Sequence, residues 1–365
     1  MKKRVMILAN YDMGLYKFRR ELIVRLCDEY DVIICVPPGE YGSRLKELGA
    51  RVVNCTMERR GMNPFHELAL LNRYKQVLKE ERPDVVLTYT IKPNVYGGMA
   101  CKSKRIPYIP NVTGLGTTIE NGGLISKLSL SLYKAGLSKA SCVFFQNETN
   151  RRMFTDKGIV KGKTKVIPGS GVNLNDHPLE VFPPIEDAVR FLFIGRIMRD
   201  KGIQELLDAI KEIKHKGFNV SLDIVGEFDG DYESAIREAE KTGYIKFHGL
   251  QSNVHPFIKN AHCVVLPSYH EGMANVMLEA ASTGRPVITT TVPGCRETFD
   301  EGVTGFGCEA QNTQSLISAM EHFLNLSTIQ MTEMGLAGRV KVEKEFDRNI
   351  VISSYLDQIQ SAINA

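Results

Sequence analysis

The chain has 365 residues, 43% hydrophobic and 24% charged. This fits about two soluble globular domains and excludes a disordered, collagen-like or small disulfide-scaffold protein. Its net charge of +4 argues against a nucleic-acid partner, but the charge is uneven: residues 1–175 carry 29 Lys and Arg against 15 Asp and Glu, and residues 176–365 carry 17 against 27. Such a split points to a polyanionic or membrane-surface partner on the N-terminal half.

In chain order, Val5 to Ala9 reads as a buried strand, and Lys17 to Asp28 as a helix with Phe18, Leu22 and Leu26 on one face. Strands at Val32 to Val36, Arg51 to Cys55 and Val85 to Thr88 alternate with helices at Gly42 to Leu48 and Phe65 to Glu81. That is the α/β pattern of a parallel sheet covered on both faces. Leu124 to Ala140 reads as a helix with Lys127, Ser131, Lys134 and Ser138 on one side. It serves either as an ordinary packed helix or as a basic amphipathic helix for a membrane surface.

Leu174 to Ala188, with Pro178, Pro183 and Pro184, lacks periodicity and reads as a linker. The pattern then restarts with strands at Arg190 to Ile194, Val220 to Val225, Ile245 to Phe247, Val264 to Pro267 and Pro286 to Thr290. Helices lie between them at Gln204 to Lys214, Tyr232 to Glu240 and Ala274 to Ser282. The expected domains are 1–175, 176–346 and a C-terminal helix, 347–365. That helix reads as docked on its own domain, with a crossing back to the first domain or a partner-binding role as the alternatives. Two doubly wound domains predict a cleft with ligands at the carboxyl ends of the strands.

Eight cysteines form no CxxC pair, and several sit in apolar strands, which suits reduced thiols in a cytoplasmic compartment. The apolar run after Lys2-Lys3-Arg4 is too short for a signal peptide, and no run is long enough to span a membrane.

The run Ser268 to Ala280 follows a strand and opens a helix. Gly272 permits close backbone approach, and the amides of Met273, Ala274 and Asn275 are expected to point outward as an anion site. Glu271 stands at the mouth of this turn and Glu279 lies on the helix. Each is either a ligand for sugar or ribose hydroxyls or a plain surface charge. The run Phe193 to Gly202 has the same strand-to-helix setting. Gly195 makes the turn, and Arg196 and Lys201 can reach a phosphate. Asp229-Gly230-Asp231 reads as a metal-type Asp-x-Asp, or more simply with Asp231 as a helix N-cap.

Gly195-Arg196 with Lys201-Gly202, then Glu271 and Glu279 in a Pro-Ser-x-x-Glu-Gly context, resembles the signature of family 4 glycosyltransferases of the GT-B fold. Tyr89 to Asn94, Val112-Thr113-Gly114-Leu115-Gly116 and Ile167 to Val172 resemble bacterial enzymes that extend polyprenyl-diphosphate-linked glycans for capsule, O-antigen or glycoconjugate assembly. The resemblance implies two Rossmann-like domains and a retaining, metal-independent hexosyltransferase with no cofactor. Its donor would be a UDP-sugar and its acceptor a polyprenyl-diphosphate glycan, at the cytoplasmic face of the inner membrane.

On that resemblance Arg196 and Lys201 hold the donor diphosphate, Glu279 the ribose and Glu271 the transferred sugar. Gly14, Gly195, Gly226, Glu227, Leu250, Gly272, Met273, Ala274 and Asn275 complete the donor site. Arg19 takes the acceptor phosphate, with Lys92, Asn94 and Thr113 on the acceptor side, although Arg19 and Arg20 also read as solvated helix charge. Many family members carry a histidine near positions 112–114. Here Asn111 and Thr113 are the polar side chains at that strand end. A nucleotide-sugar epimerase, which would release no UDP, and a non-catalytic UDP-sugar-binding subunit are the alternatives.

Overall fold

Runs such as Val5-Met6-Ile7-Leu8, apolar on both alternating faces, are stable only as strands buried from two sides, and such strands belong to parallel sheets. The computed structural model describes residues 2–58, 61, 63–114 and 123–365, with Leu124 by its backbone alone. Leu115 and Gly116 of the second acceptor-side segment lie outside the described residues. The chain divides into two compact units, residues 1–170 with 349–365, and residues 171–348.

The first unit is a seven-stranded parallel sheet in the order β3-β2-β1-β4-β5-β6-β7. Its strands are β1 (Arg4–Leu8), β2 (Asp31–Val36), β3 (Arg51–Asn54), β4 (Val85–Tyr89), β5 (Tyr108–Val112), β6 (Val143–Phe145) and β7 (Thr164–Val166). Alternate residues of β1 feed two cores. Val5 and Ile7 pack against α1 (Asp12–Glu29) and the C-terminal helix, whereas Met6 and Leu8 pack against α3 (Pro64–Glu81) and α4 (Gly98–Lys104). A wide π-type turn, Pro93–Gly97, leads directly into α4, and α5 (Gly123–Leu137) lies beside it. The short α2 (Gly42–Glu47) and α6 (Glu148–Asp156) are the other α-helices before the second unit among the described residues.

The second unit is a six-stranded parallel sheet, β10-β9-β8-β11-β12-β13. Its strands are β8 (Val189–Ile194), β9 (Val220–Val225), β10 (Ile245–Phe247), β11 (Cys263–Leu266), β12 (Val287–Thr290) and β13 (Gly305–Cys308). Its helices are α7 (Ile203–His215), α8 (Glu233–Glu240), α9 (His255–Asn260), α10 (Asn275–Ser282), α11 (Thr313–Leu324) and α12 (Thr328–Glu345). The last helix, α13 (Arg348–Ile363), buries Val351, Tyr355 and Ile359 in the first unit's core.

Both sheets reverse strand order once, at β1/β4 and at β8/β11. Loops diverge at such a point and leave a crevice beyond the strand ends, where ligands of doubly wound sheets bind.

Two boundaries differ from the pattern-based reading. Helix α1 begins at Asp12, so Gly14 lies in its first turn and not in a loop. Apolar spacing starts only near Phe18, but the Asp12 carboxylate holds the start by accepting from the Met13 and Tyr41 amides, each at 2.8 Å. Residues 174–188 are irregular but no free tether. The fully buried Arg285 donates to the carbonyls of Glu180 and Val181, and His262 bonds the Pro184 carbonyl at 3.2 Å.

All eight cysteines are free, and seven are buried. Among the described residues no helix is long and apolar enough to cross a membrane.

Candidate functional site

At the β8/β11 switch point the loop 195–202 follows β8 and the loop 267–274 follows β11. Hydrogen bonds to one carbonyl lock the two together: the Tyr269 amide donates to the Asp200 carbonyl at 2.9 Å, and the Ser268 hydroxyl donates to it at 3.1 Å. Gly202, at φ +70°, leaves no room for a Cβ, which would strike the Pro267 carbonyl. Gly226, at φ +154°, is pressed against the Gly195 carbonyl in the same way, and its amide donates to the Gly249 carbonyl at 2.9 Å. That bond draws Gly195, Gly226 and the exposed Leu250 toward one end of the sheet.

Lys201 Nζ donates to Glu271 Oε1, with side chains only 19% and 15% exposed. Arg196, about half exposed, donates to Asp229. Each of the two cations expected to meet a diphosphate is thus held by a carboxylate, Lys201 by Glu271 and Arg196 by Asp229. Asp229 of the Asp-x-Asp run thereby has a partner in Arg196. Asp231 is not an N-cap: α8 starts at Glu233 after Tyr232, with no side-chain cap. Glu227 stands exposed at the end of β9.

The head of α10 corrects a second expectation. Of the three amides expected to point outward, that of Ala274 donates to the Gly294 carbonyl at 2.7 Å and that of Asn275 to the Met273 carbonyl at 2.9 Å. Gly294, at φ +85°, sits tight against the Glu271 carbonyl and props the Glu271-Gly272 turn. The helix head also holds the Asn275 side-chain oxygen, buried with no hydrogen-bond partner. Glu279 lies half-buried one turn further along. Tyr269 extends the site: its hydroxyl donates to Glu205 at 2.6 Å, and burial pushes its pKa well above the usual tyrosine value.

At the β1/β4 switch point of the first unit, Arg19 is buried, 4% exposed, and not a solvated helix charge. Side chains on a helix lean toward its N-terminus, and the guanidinium thereby reaches the end of β4. It lies 5.1 Å from the Tyr89 ring and 5.8 Å from that of Tyr355, and donates to the Phe18 carbonyl at 3.2 Å. No carboxylate neutralises it among the described residues. The surroundings hold three buried polar atoms without partners: Tyr89 Oη, Thr90 Oγ1 and Asn111 Oδ1. Thr90, at φ +72°, is a β-branched residue in the left-handed region, a strain that concentrates at functional sites. Sequence reading missed Tyr89, Thr90 and Tyr355 as neighbours of Arg19, since Tyr355 lies 244 positions from its hydrogen-bond partner Asn111.

Two expected acceptor-side residues are internal. Asn94 is fully buried, with its oxygen accepting from Thr88 Oγ1 at 2.6 Å and its amide donating to the Asn111 carbonyl at 2.8 Å, so it braces β4 against β5. Lys92 is paired with the buried Glu67 at 2.5 Å and is 12% exposed. That carboxylate and burial push the Tyr96 hydroxyl up to about 12, burial being the larger cause. Thr113 sits part-exposed just beyond β5.

Two family models cover most of the chain: a glycosyl transferase 4-like domain matches residues 14–169, and the glycosyl transferases group 1 model matches residues 188–325. The chain is 28% identical to the N,N'-diacetylbacillosaminyl-diphospho-undecaprenol alpha-1,3-N-acetylgalactosaminyltransferase of Campylobacter jejuni, over 97% of each chain. It is 26% identical to the capsular polysaccharide biosynthesis glycosyltransferase CapM of Staphylococcus aureus, over 85% of each. Anabaena HepE in complex with UDP-glucose superposes with a TM-score of 0.80 at 18% identity, over 98% of this chain and 99% of that one. The chain belongs to the group 1, family 4-like glycosyltransferases and is a transferase with the two Rossmann-like domains of the GT-B fold.

Proposed function

We propose that the protein transfers a hexose or N-acetylhexosamine from a UDP-sugar to a polyprenyl-diphosphate-linked glycan, with retention of configuration and without a metal or other cofactor. The reaction would take place at the cytoplasmic face of the inner membrane. The observation that carries this reading is the set of side chains at the β8/β11 switch point: Lys201 paired with Glu271 ahead of α10, and Arg196, on the loop that follows β8, paired with Asp229. The relatives named for work on a diphospho-undecaprenol sugar and on capsule support the substrate class.

The physics follows from where charge develops. Breaking the bond between the anomeric carbon and the donor β-phosphate oxygen leaves negative charge on that phosphate. Arg196 and Lys201, fixed in advance, stabilise it without reorganising. Their present carboxylate partners keep the cations in place until phosphate oxygens replace them. The acceptor hydroxyl oxygen bonds to the anomeric carbon on the face the phosphate leaves, and its proton passes to the departing phosphate oxygen. The products are UDP and a glycoside of unchanged configuration. Glu271 orients the sugar, Glu279 the ribose, and the unpartnered Asn275 oxygen is available to a donor hydroxyl. Arg19, a buried cation without a carboxylate, suits the acceptor diphosphate.

Thermal-shift titration with a panel of UDP-sugars, with and without EDTA, tests the donor part. A rise in melting temperature with one UDP-sugar, unchanged by EDTA, is expected. No response to UDP or any UDP-sugar contradicts it.

A further inference from the structure

The helical layer formed by α3, the 93–104 segment and α5 carries apolar side chains that no core uses. Phe65 is 81% exposed and Leu68 56% in the first turns of α3. Ile125 and Leu128 are 51% and 53% exposed in the first turns of α5. Ile91, 39% exposed, precedes the turn between them. These residues share one end of the layer. Helices α3 and α5 precede the parallel strands β4 and β6, so each begins at the carboxyl edge of the sheet, and residue 91 follows β4 at that same edge.

The orientation of α5 is held from within. Gly98 and Gly136 meet so closely that a Cβ on either would strike the other segment's backbone, and Tyr133 and Leu137 fill the core behind. Ile125 and Leu128 therefore face away from the protein, alongside the exposed Lys127, Ser131 and Lys134.

Charge identifies the occupant. Neither α4 nor α5 contains an acidic residue. Residues 64–147, which span α3 to α5, hold eleven Lys and Arg against five Asp and Glu. Protein interfaces are depleted in lysine. A surface that mixes Phe, Leu and Ile with unpaired-sign lysines is instead the composition of an element lying in a bilayer interface, its apolar side chains among acyl chains and its ammonium groups at anionic headgroups.

We infer that the carboxyl-edge ends of α3 and α5, through Phe65, Leu68, Ile125 and Leu128 with Lys127 and Lys134, form a docking surface for an anionic phospholipid bilayer. The inference deepens the proposed function. The edge is also where Arg19 lies, so docking brings a lipid-linked acceptor to it without extracting the lipid from its membrane.

The test is co-sedimentation of the full chain with vesicles of phosphatidylethanolamine and phosphatidylglycerol, and with neutral phosphatidylcholine vesicles, at low and high salt. The expected result is binding to the anionic vesicles that weakens with salt. Lys127→Glu/Lys134→Glu should lower partition by about tenfold or more, and Phe65→Ser/Leu68→Ser/Leu128→Ser by about tenfold or more, at unchanged circular dichroism. Equal binding by wild type and both variants, or no vesicle binding at all, overturns the docking surface, as does self-association in gel filtration that the apolar variant abolishes. Transfer to a short-chain, water-soluble diphosphate acceptor without vesicles separates the two proposals. Transfer without vesicle binding overturns docking alone. Vesicle binding that both variants weaken, without transfer to any polyprenyl-diphosphate acceptor, upholds docking and overturns the proposed transfer.

Discussion

Lys201 and Glu271, 70 positions apart in sequence, are ion-paired across the β8/β11 switch point with both side chains more than four-fifths buried. Each charge is the other's neutraliser until a ligand replaces it. Removing one partner leaves an uncompensated charge in a poorly hydrated place, the costly half of any buried pair. Lys201→Ala and Glu271→Ala should each destabilise the second unit by about 1–3 kcal/mol, and the double variant by less than the sum. Denaturant unfolding of the four chains in a double-mutant cycle checks this, and additivity would contradict it.

Activity should separate from stability at the same site. Glu279→Ala and Lys201→Ala are expected to lower kcat/KM for sugar transfer by about a thousandfold, the scale of losing one preorganised charge-stabilising contact. Their circular dichroism spectra should remain native. Near-normal turnover in both would remove these residues from the donor site.

Gly202→Ala and Gly226→Ala test the backbone rather than the charges. Both positions are left-handed, and an added Cβ meets a carbonyl oxygen of the facing loop. Each should cost about 2–4 kcal/mol of stability. Gly217, left-handed with open space around it, is the control: Gly217→Ala should cost only about 1 kcal/mol. Equal melting temperatures for all three would contradict the packing described.

The segment 174–188 gives a pH dependence. His262 is fully buried, with Nδ1 accepting from the Arg190 amide at 2.7 Å, and burial lowers its pKa to about 4. Above the unfolded value of 6.5 both states are neutral, and the full stability is present. As pH falls from 6.5 toward 4 the unfolded chain takes up a proton that the native one does not, and about 3 kcal/mol is lost. His177, also lowered to about 4 by burial, adds loss of the same sign. His262→Gln should flatten part of the stability-pH curve over that range, which chemical unfolding at several pH values measures.

Truncation after Arg348 should unfold the first unit. Helix α13 puts Val351, Tyr355 and Ile359 into its core, and the Asn111 amide donates to Tyr355 Oη at 2.7 Å. At about 1.5–3 kcal/mol for each large apolar side chain, the loss rivals a whole domain's stability. A soluble, cooperatively folding 1–348 chain would contradict this.

Much of the architecture was legible because fully apolar runs such as Val32 to Val36 and Val264 to Leu266 have few alternatives to a buried parallel strand. The helix at 93–104 was not, since Pro93, Gly97 and Gly98 argue against a helix locally. Close packing of α5 on Gly98 overrides that propensity. At the donor site the residue types and their loops were readable, because glycine and charge at strand-to-helix turns leave a local trace. Their pairing was not: Arg196 with Asp229 and Lys201 with Glu271 depend on how distant loops meet. The acceptor side was hardest. Asn94 and Lys92 look available in sequence and are spent on internal bonds, whereas Arg19 looks like helix surface and is buried against two tyrosines from distant segments.

The most direct measurement is product analysis by mass spectrometry and NMR after incubation with an α-linked UDP-sugar and a polyprenyl-diphosphate glycan in EDTA, for wild type and Lys201→Ala. The expected result is stoichiometric UDP and a lipid-linked product longer by one α-linked sugar for the wild type, with little or none for the variant. A β-linked product, a rearranged UDP-sugar without transfer, or undiminished transfer by Lys201→Ala would contradict it.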